Sequence, residues 1–213
     1  MKIKTIIFDI DGVLLDSNIY LAKVHQKTAK EMGLRIPTIH EILRLFGKDW
    51  DSVIQTLWPG IDIENFKKTY LRVGNIENFI IPPIKNAVET IKKLKNLGFK
   101  LAIVSARPGF YTIEPLKKSG FDLELFDVVI SADDTKNHKP HPEPLTHTCK
   151  RLNVDPKEAV YIGDALIDYE SASSAKLNFI AVLTGDVKEE EFRKNGVKNI
   201  IPSIAELPKF LKL

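Results

Sequence analysis

From Pro83 to the end of the chain, short apolar runs alternate with segments whose apolar residues recur at helical spacing. The runs are KLAIVSA, FDVVIS, AVYIGDA, FIAVLTG and VKNII, and the helical patterns cover residues 83–97, 112–119, 142–152, 167–176, 188–195 and 204–211. Strands that alternate with helices of about ten residues are typical of parallel βαβ units. With MKIKTIIFD as the first strand, we predict an α/β fold with a doubly wound, Rossmann-like parallel sheet.

Between the first strand and Pro83 the pattern changes to helices alone, at residues 18–32, 39–46, 50–58 and 63–73. Thr38 and Asp62 are the expected N-caps, and Gly33 and Gly47 the expected stops. This insertion is either a helical layer packed on the core or a cap over the crevice. We favour a cap because both connections leave from the face where the strands end. The expected domains are a core of residues 1–15 and 83–213 and an all-helical cap of residues 16–82.

Polar side chains stand where three of the predicted strands end, at Asp9, Ser105 and Asp164. In doubly wound sheets the ligand crevice lies outside the carboxyl ends of the strands. Asp11 follows Asp9 by two residues, so both carboxylates share one side of the strand and repel each other unless a cation or a shared proton intervenes. An alternative is a hairpin turn at Asp11-Gly12, with the following apolar residues as the return strand.

The composition excludes several classes of protein. Apolar residues make up 44% of the chain and charged residues 28%, which is ordinary for a globular protein. The net charge of +3 comes from 31 basic and 28 acidic residues that are evenly scattered, so we expect no nucleic-acid or membrane partner. A single cysteine, Cys149, excludes an intramolecular disulfide and fits a reducing cytoplasm. No stretch approaches the ~20 apolar residues of a membrane span.

Four short motifs occur in order near predicted strand ends. They are FDIDG at 8–12, IVSA at 103–106, HKPHPEP at 138–144 and GDALIDYESA at 163–172. Together they resemble the haloacid dehalogenase-like superfamily, and the helical insertion after the first motif resembles its phosphoglycolate phosphatase and β-phosphoglucomutase-like branch. The resemblance covers essentially the whole chain and makes the hairpin at Asp11-Gly12 the weaker interpretation. It implies an enzyme that uses Mg²⁺ and acts on a small phosphorylated metabolite.

The resemblance also implies roles for the four aspartates. Asp9 is the expected nucleophile, because a carboxylate can attack a phosphate dianion once a cation screens both. Asp9 and Asp164 would bind Mg²⁺ through their carboxylates, and Asp11 through its backbone carbonyl. The Asp11 side chain would protonate the leaving oxygen and later deprotonate the attacking water. Asp168, one helical turn after Asp164, would support the metal ligands; the alternative is a solvated aspartate at a helix start.

The expected substrate contacts are Ser105, Ala106, Lys139 and Lys48. The Ser105 hydroxyl would hydrogen-bond a phosphoryl oxygen, and the Lys139 ammonium would stabilise charge in the transition state. Ala106 stands where many relatives carry Asn, so the shape of the phosphate pocket is open, and Arg107 is a candidate guanidinium contact. Lys48 lies on a turn in the cap; it would suit a carboxylate or a second phosphate, or it is an ordinary solvated lysine.

We expect structural positions for two tryptophans and a histidine of the cap. We expect Trp50 and Trp58, eight residues apart, to lie in the core of the cap, with stacking on a substrate as the alternative. We expect His25 at an ordinary surface or core position.

The motifs favour hydrolysis of a small phosphate monoester through a phosphorylated Asp9. A phosphomutase that returns the phosphate to a sugar shares every one of these residues, so it stays open. A dehalogenase is less well supported, because Asp11 and a Mg²⁺ site serve chemistry at phosphorus. A binding or regulatory protein on this scaffold would be expected to lack a carboxylate or the lysine. The substrate and the choice between monomer and homodimer are not determined by the sequence.

Overall fold

The computed structural model describes residues 3–74 and 80–213. Residues 1–2 of the predicted first strand and residues 75–79 of the predicted cap lie outside this range. The described part contains a six-stranded, all-parallel sheet in the order β3-β2-β1-β4-β5-β6. The strands are β1 (Thr5–Phe8), β2 (Lys100–Val104), β3 (Val128–Ile130), β4 (Ala159–Gly163), β5 (Asn178–Val182) and β6 (Ile200–Ile201). This order confirms the predicted doubly wound α/β fold.

Helices cover both faces of the sheet. Side chains of a strand alternate between these faces, and apolar side chains are buried on each of them. Ile6 and Phe8 of β1 pack in one fully buried cluster, and Ile7 packs in the other. The helices of the core are α5 (Ala87–Asn96), α6 (Gly109–Lys118), α7 (Glu143–Leu152), α8 (Leu166–Ser174), α9 (Glu189–Lys194) and α10 (Leu207–Phe210). The first cluster includes side chains of α5, α6 and α10, and the second includes side chains of α7, α8 and α9.

Several boundaries differ from the predicted ones. The helix expected from Pro83 begins only at Ala87, because Asn86 has a φ of 63°, a left-handed conformation that an α-helix cannot contain. The strand expected over VKNII is reduced to Ile200–Ile201. The closing helix is split into a 3₁₀ turn at Ile204–Glu206 and the short α10.

The insertion after β1 is helical, with α1 (Asn18–Glu31), α2 (Ile39–Leu43), α3 (Trp50–Leu57) and α4 (Ile63–Gly74), numbered in chain order before the core helices. These helices enclose a hydrophobic cluster of their own. Thr38 and Asp62 accept the backbone N–H bonds expected of N-caps. The helix predicted to reach residue 46 ends at Leu43, and the chain then turns through Gly47, whose φ is 92°.

The two connections between the insertion and the core run side by side. Asp16 N donates to Pro82 O at 2.9 Å, and Ile84 N donates to Leu14 O at 2.9 Å. The outgoing and returning chains are therefore tied together at the end of β1. The proposed domain bounds, a cap of residues 16–82 on a core of residues 1–15 and 83–213, stay a prediction.

His25 is a buried titratable group in the middle of these helices, with only 4% of its surface exposed. Its Nδ1 lies 2.8 Å from Leu21 O, one turn earlier in α1, and its ring centroid lies 4.6 Å from that of Tyr70. Burial disfavours the charged imidazolium and lowers the pKa of His25 from 6.5 to about 4. The folded protein therefore holds this imidazole neutral at pH 7.

This shift predicts that His25 contributes a loss of stability as the pH falls from 6.5 to about 4. The raised pKa of Asp9 acts in the opposite direction, so the contribution of His25 is the difference between the wild type and His25→Leu. In that interval the unfolded chain binds a proton that folded His25 does not bind, so the free energy of unfolding falls by up to about 3 kcal/mol. Urea unfolding measured across this range checks it. His25→Leu should flatten this part of the profile, whereas the exposed cap residue His40, changed to Leu, should leave the slope in place. An unchanged slope in His25→Leu would contradict the assignment.

Candidate active site

A cavity of about 120 Å³ lies between the carboxyl ends of β1 and β4 and the helices of the insertion. Asp9, Asp11, Lys139 and Asp164 line it from the core side. The strand ends meet there because all strands are parallel and β1 lies between β2 and β4. The structure thus brings together the predicted aspartates and the lysine, which lie far apart in the sequence.

Lys139 is the central contact of this cluster, although only 4% of its surface is exposed. Its Nζ donates to Asp9 Oδ2 at 2.9 Å, to Asp168 Oδ1 at 2.7 Å and to the Tyr161 hydroxyl at 3.1 Å. Burial alone would lower the pKa of Lys139, but the charges of Asp168 and Asp9 raise it well above its usual value. The lysine is therefore a fixed ammonium that positions the Asp9 carboxylate.

The carboxylates of Asp9, Asp164 and Asp168 offer oxygens that lie within 4.8 Å of one another. All three residues are buried, and Lys139 is the ammonium that the described residues place among them. Burial raises the pKa of Asp9 to about 7 despite Lys139. Burial and the charges of Asp168 and Asp9 raise the pKa of Asp164 well above its usual value. Three carboxylates against one ammonium leave an excess of negative charge, and these oxygen donors fit a Mg²⁺ ion.

Asn18 is a contact of this cluster that the sequence analysis missed. It is the first residue of α1, and its Nδ2 donates to Asp164 Oδ2 at 3.0 Å. Its Oδ1 is buried and has no hydrogen-bond partner among the described residues. An unsatisfied amide oxygen beside a carboxylate is a further acceptor that a metal ion or its water would satisfy. The sequence signal for this contact was the position of Asn18 at the start of the first helix after Asp11-Gly12, which brings its side chain close to the strand ends.

Asp11 is bound separately from Asp9. Arg107 Nε donates to Asp11 Oδ2 at 2.8 Å, and Arg107 Nη2 and the Ser17 hydroxyl donate to Oδ1. Burial alone would lower the pKa of Arg107, but the Asp11 charge raises it. The guanidinium, considered from sequence as a phosphate contact, is thus engaged by a carboxylate in this conformation.

The hairpin interpretation of Asp11-Gly12 is wrong. The amides of Val13, Leu14 and Leu15 all donate to Ile10 O, at 3.2, 2.8 and 2.9 Å. The backbone therefore coils into a tight loop after β1 and does not return along it. Gly12 has a φ of 69°, and a Cβ there would meet Asp164. This loop is what places the Asp11 side chain and the Asp164 carboxylate around the same cavity.

The remaining predicted residues occupy distinct positions. Asp168 is fully buried, so it is not a solvated aspartate; its Oδ2 accepts from Ala165 N at 3.1 Å and its Oδ1 binds Lys139. Ser105 is buried, and its hydroxyl accepts from Arg107 N at 3.1 Å. Ala106 and the exposed Lys48 both line the cavity.

Aromatic side chains form a further part of the cavity wall. The Trp50 ring centroid lies 5.2 Å from that of Tyr70 and 6.0 Å from that of Tyr111, and all three rings line the cavity. Trp50 packs against the hydrophobic cluster of the cap, as expected, but it is only half-buried there and also lines the cavity. Trp58 is buried as expected, and its Nε1 donates to Arg35 O at 2.8 Å.

Residues 6–182 match the family model described as haloacid dehalogenase-like hydrolase. The chain belongs to this family, as the motifs predict. It is 26% identical to a phosphoglycolate phosphatase of Nitrosospira multiformis, over 100% of this chain and 97% of the relative. It is 28% identical to pyrophosphatase PpaX of Bacillus pumilus, over 96% of this chain and 94% of the relative. A haloacid dehalogenase-like hydrolase from Bacteroides fragilis superposes with a TM-score of 0.87 at 26% identity, covering 97% of this chain and 100% of the other.

The family and these relatives identify the chain as a haloacid dehalogenase-like phosphatase. The predicted enzyme class is confirmed, and a non-catalytic protein on this scaffold is not supported. None of the helices in the described part of the chain is both long enough and apolar enough to cross a bilayer.

The backbone at Gly185 packs closely against Asp164. A substitution there tests the position of the Asp164 carboxylate without changing a polar side chain. A Cβ at Gly185 would lie 2.7 Å from Asp164 Cβ, closer than real carbon contacts allow. We expect Gly185→Ala to displace Asp164 and lower kcat/KM for phosphate release at least tenfold, about 1.4 kcal/mol. Gly109→Ala is the milder control, because a Cβ there would lie 3.3 Å from Asp133 Oδ2, a side-chain atom that needs to move only slightly. Full activity in folded Gly185→Ala would show that the Asp164 position is not critical.

Proposed function

We propose that this phosphatase uses Mg²⁺ and hydrolyses a small phosphate monoester through a phosphorylated Asp9. The observation that carries the proposal is the arrangement of Asp9 and Asp11. Asp9 is held by Lys139 beside two further carboxylates, whereas Asp11, two residues later, is held by Arg107, and both line one cavity. One carboxylate is thus fixed for attack and the other is available for proton transfer.

The metal ligands in this proposal are the carboxylates of Asp9 and Asp164 and the backbone carbonyl of Asp11. The excess of carboxylates over ammonium groups and the unpartnered Asn18 Oδ1 support a cation there. When bound, Mg²⁺ would offset the repulsion between Asp9 and a phosphate dianion. Asp168 supports these ligands indirectly, because it accepts a hydrogen bond from the Lys139 ammonium that also holds Asp9.

The reaction follows from the positions of the two aspartates. An Asp9 oxygen forms a bond to phosphorus while the ester P–O bond breaks, and Asp11 gives its proton to the leaving oxygen. Asp11 then takes a proton from the water that attacks the phosphorylated Asp9, which releases phosphate and restores the Asp9 carboxylate and the protonated Asp11. Arg107 and Ser17 hold the ionised form of Asp11 between these steps.

Ser105, Ala106 and Lys139 are the proposed contacts of the transferred phosphate, and Lys48 is the proposed contact in the cap. Ala106 and Lys139 line the cavity, and Ser105 supports the Arg107 backbone beside it. Phosphoglycolate and inorganic pyrophosphate, which the names of the relatives give, are the first substrates to test. A cytoplasmic location is supported by the buried free Cys149, and monomer and homodimer both stay open.

The cavity supports a phosphatase better than a sugar phosphomutase. A sugar presents several hydroxyls that need hydrogen-bond partners. Trp50, Tyr70 and Tyr111 take up much of the cavity wall, and Arg107 is already paired with Asp11. Phosphate release without formation of an isomeric sugar phosphate is therefore expected when glucose 1-phosphate is supplied with Mg²⁺.

Asp9→Asn should abolish phosphate release by orders of magnitude, because the nucleophile is lost. The substitution is nearly isosteric, so circular dichroism should report an intact fold. A chelator should abolish the wild-type activity reversibly, and added Mg²⁺ should restore it. Normal turnover by folded, Mg²⁺-supplied Asp9→Asn would refute the mechanism.

Asp11→Asn should slow phosphorylation of Asp9 by ~10²–10⁴-fold for substrates whose leaving oxygen needs a proton. Nitrophenyl phosphate should be affected less in that step, because nitrophenolate leaves without one. Single-turnover measurements separate phosphorylation from the later hydrolysis. Equal losses for an alkyl phosphate and nitrophenyl phosphate would argue against Asp11 as the acid.

A further inference from the structure

Apolar side chains of the insertion and α6 form a continuous group among the residues that line the cavity. Its side chains come from three helices of the insertion, from the turn after α2 and from α6, and they are Leu21, Phe46, Trp50, Tyr70, Leu71 and Tyr111. Removal of apolar surface from water is favourable at roughly 25 cal/mol per Å². This surface therefore favours an apolar group, and a charged one would lose hydration there without compensation.

The charged groups on the cavity wall are largely engaged within the protein. Lys139 is paired with Asp9 and Asp168, and Arg107 is paired with Asp11. Lys48 also lines the cavity, but it is exposed and so stays hydrated. An anionic leaving group would thus have to compete for a cation that already has a carboxylate partner, or rely on a lysine in water.

His25 adds one polar atom to this apolar wall. Its Nδ1 lies 2.8 Å from the Leu21 carbonyl, an acceptor, so the neutral ring carries its proton on Nδ1 and presents Nε2 as an acceptor. Nε2 is buried and has no partner within the described part of the chain. His25 lines the same cavity as Trp50 and Tyr70. A buried acceptor without a donor is costly, and a donor on the substrate would satisfy it.

We propose that the leaving group of the physiological substrate is a neutral, single-ring aromatic alcohol that carries one hydrogen-bond donor for His25 Nε2. The cavity of about 120 Å³ limits the size. Part of this volume lies beside Asp9 and Asp164 and belongs to the phosphate, so the remainder is too small for anything larger than a single ring. This inference rests on the proposed function, because it specifies the substrate of the same site.

The first test compares alkyl phosphates that differ in the group to be held. We expect kcat/KM for benzyl phosphate to exceed that for phosphoglycolate and glycerol phosphate at least tenfold with Mg²⁺ present. We expect at least one of the three hydroxybenzyl phosphates to exceed benzyl phosphate, because its hydroxyl reaches His25. Phosphoglycolate equal to or better than benzyl phosphate would overturn the neutral aromatic class. No gain from any hydroxyl would overturn the role of His25.

Variants assign these preferences to side chains. Trp50→Leu should lower the ratio of kcat/KM for benzyl phosphate to that for methyl phosphate at least fivefold. His25→Phe should remove the advantage of the hydroxybenzyl substrate over benzyl phosphate. Phe210→Leu is the matched control, because this aromatic ring on α10 is exposed and does not line the cavity. It should alter neither ratio. Unchanged ratios in folded Trp50→Leu would refute the proposed binding surface.

Lys48→Ala tests the competing anionic substrate. A selective tenfold loss for phosphoglycolate, with benzyl phosphate unaffected and inferior in the wild type, would establish recognition of a carboxylate by Lys48 and overturn our proposal. Methyl phosphate serves as the reference for the chemical step. If even methyl and nitrophenyl phosphates release no phosphate with Mg²⁺, the proposed function itself fails; if they do and the aromatic preference is missing, only the substrate class fails.

Discussion

The buried ammonium of Lys139 is the interaction on which the rest of the site depends. A buried charge is tolerated only when it is paired and hydrogen-bonded, and Lys139 has Asp9, Asp168 and the Tyr161 hydroxyl as partners. These contacts join the loop after β3 to β1, β4 and α8. Loss of the ammonium would leave the neighbouring carboxylates uncompensated, so the position of the nucleophile and the integrity of the strand ends are physically linked.

A second cation allows Asp9 and Asp11 to stand two residues apart. Such carboxylates would share one face of a regular strand, but the backbone coils after β1 and Asp11 turns to Arg107. Each carboxylate thus has its own cation, Lys139 for Asp9 and Arg107 for Asp11. Different partners give chemically identical groups different tasks, because the environment decides which one attacks and which one exchanges protons.

The core cluster was predictable from the sequence because its positions follow from topology. Strand-end residues of parallel neighbours must meet at one edge, so Asp9 and Asp164 converge without any knowledge of side-chain packing. Asn86, with its left-handed backbone, and the ion pair of Arg107 with Asp11 depend on local conformation that periodicity does not encode. For the same reason the second contact of Trp50, with the cavity, was not predicted: a helical pattern records which face is apolar and not everything that this face meets.

The cavity wall is shared between the insertion and the core, and this links substrate binding to the segment that holds Asp11. Trp50 from α3 contacts Tyr111 from α6, and Arg107 donates to the Tyr111 carbonyl at 3.2 Å while it holds Asp11. A ring bound against Trp50 and Tyr111 would therefore lie beside the same segment that positions the acid. A leaving group that fills the cavity would exclude water from Asp9 during phosphorylation. A smaller leaving group would leave water in contact with the aromatic side chains. The binding energy of the leaving group would then increase the rate of phosphorylation, because it excludes water, and would not only increase affinity.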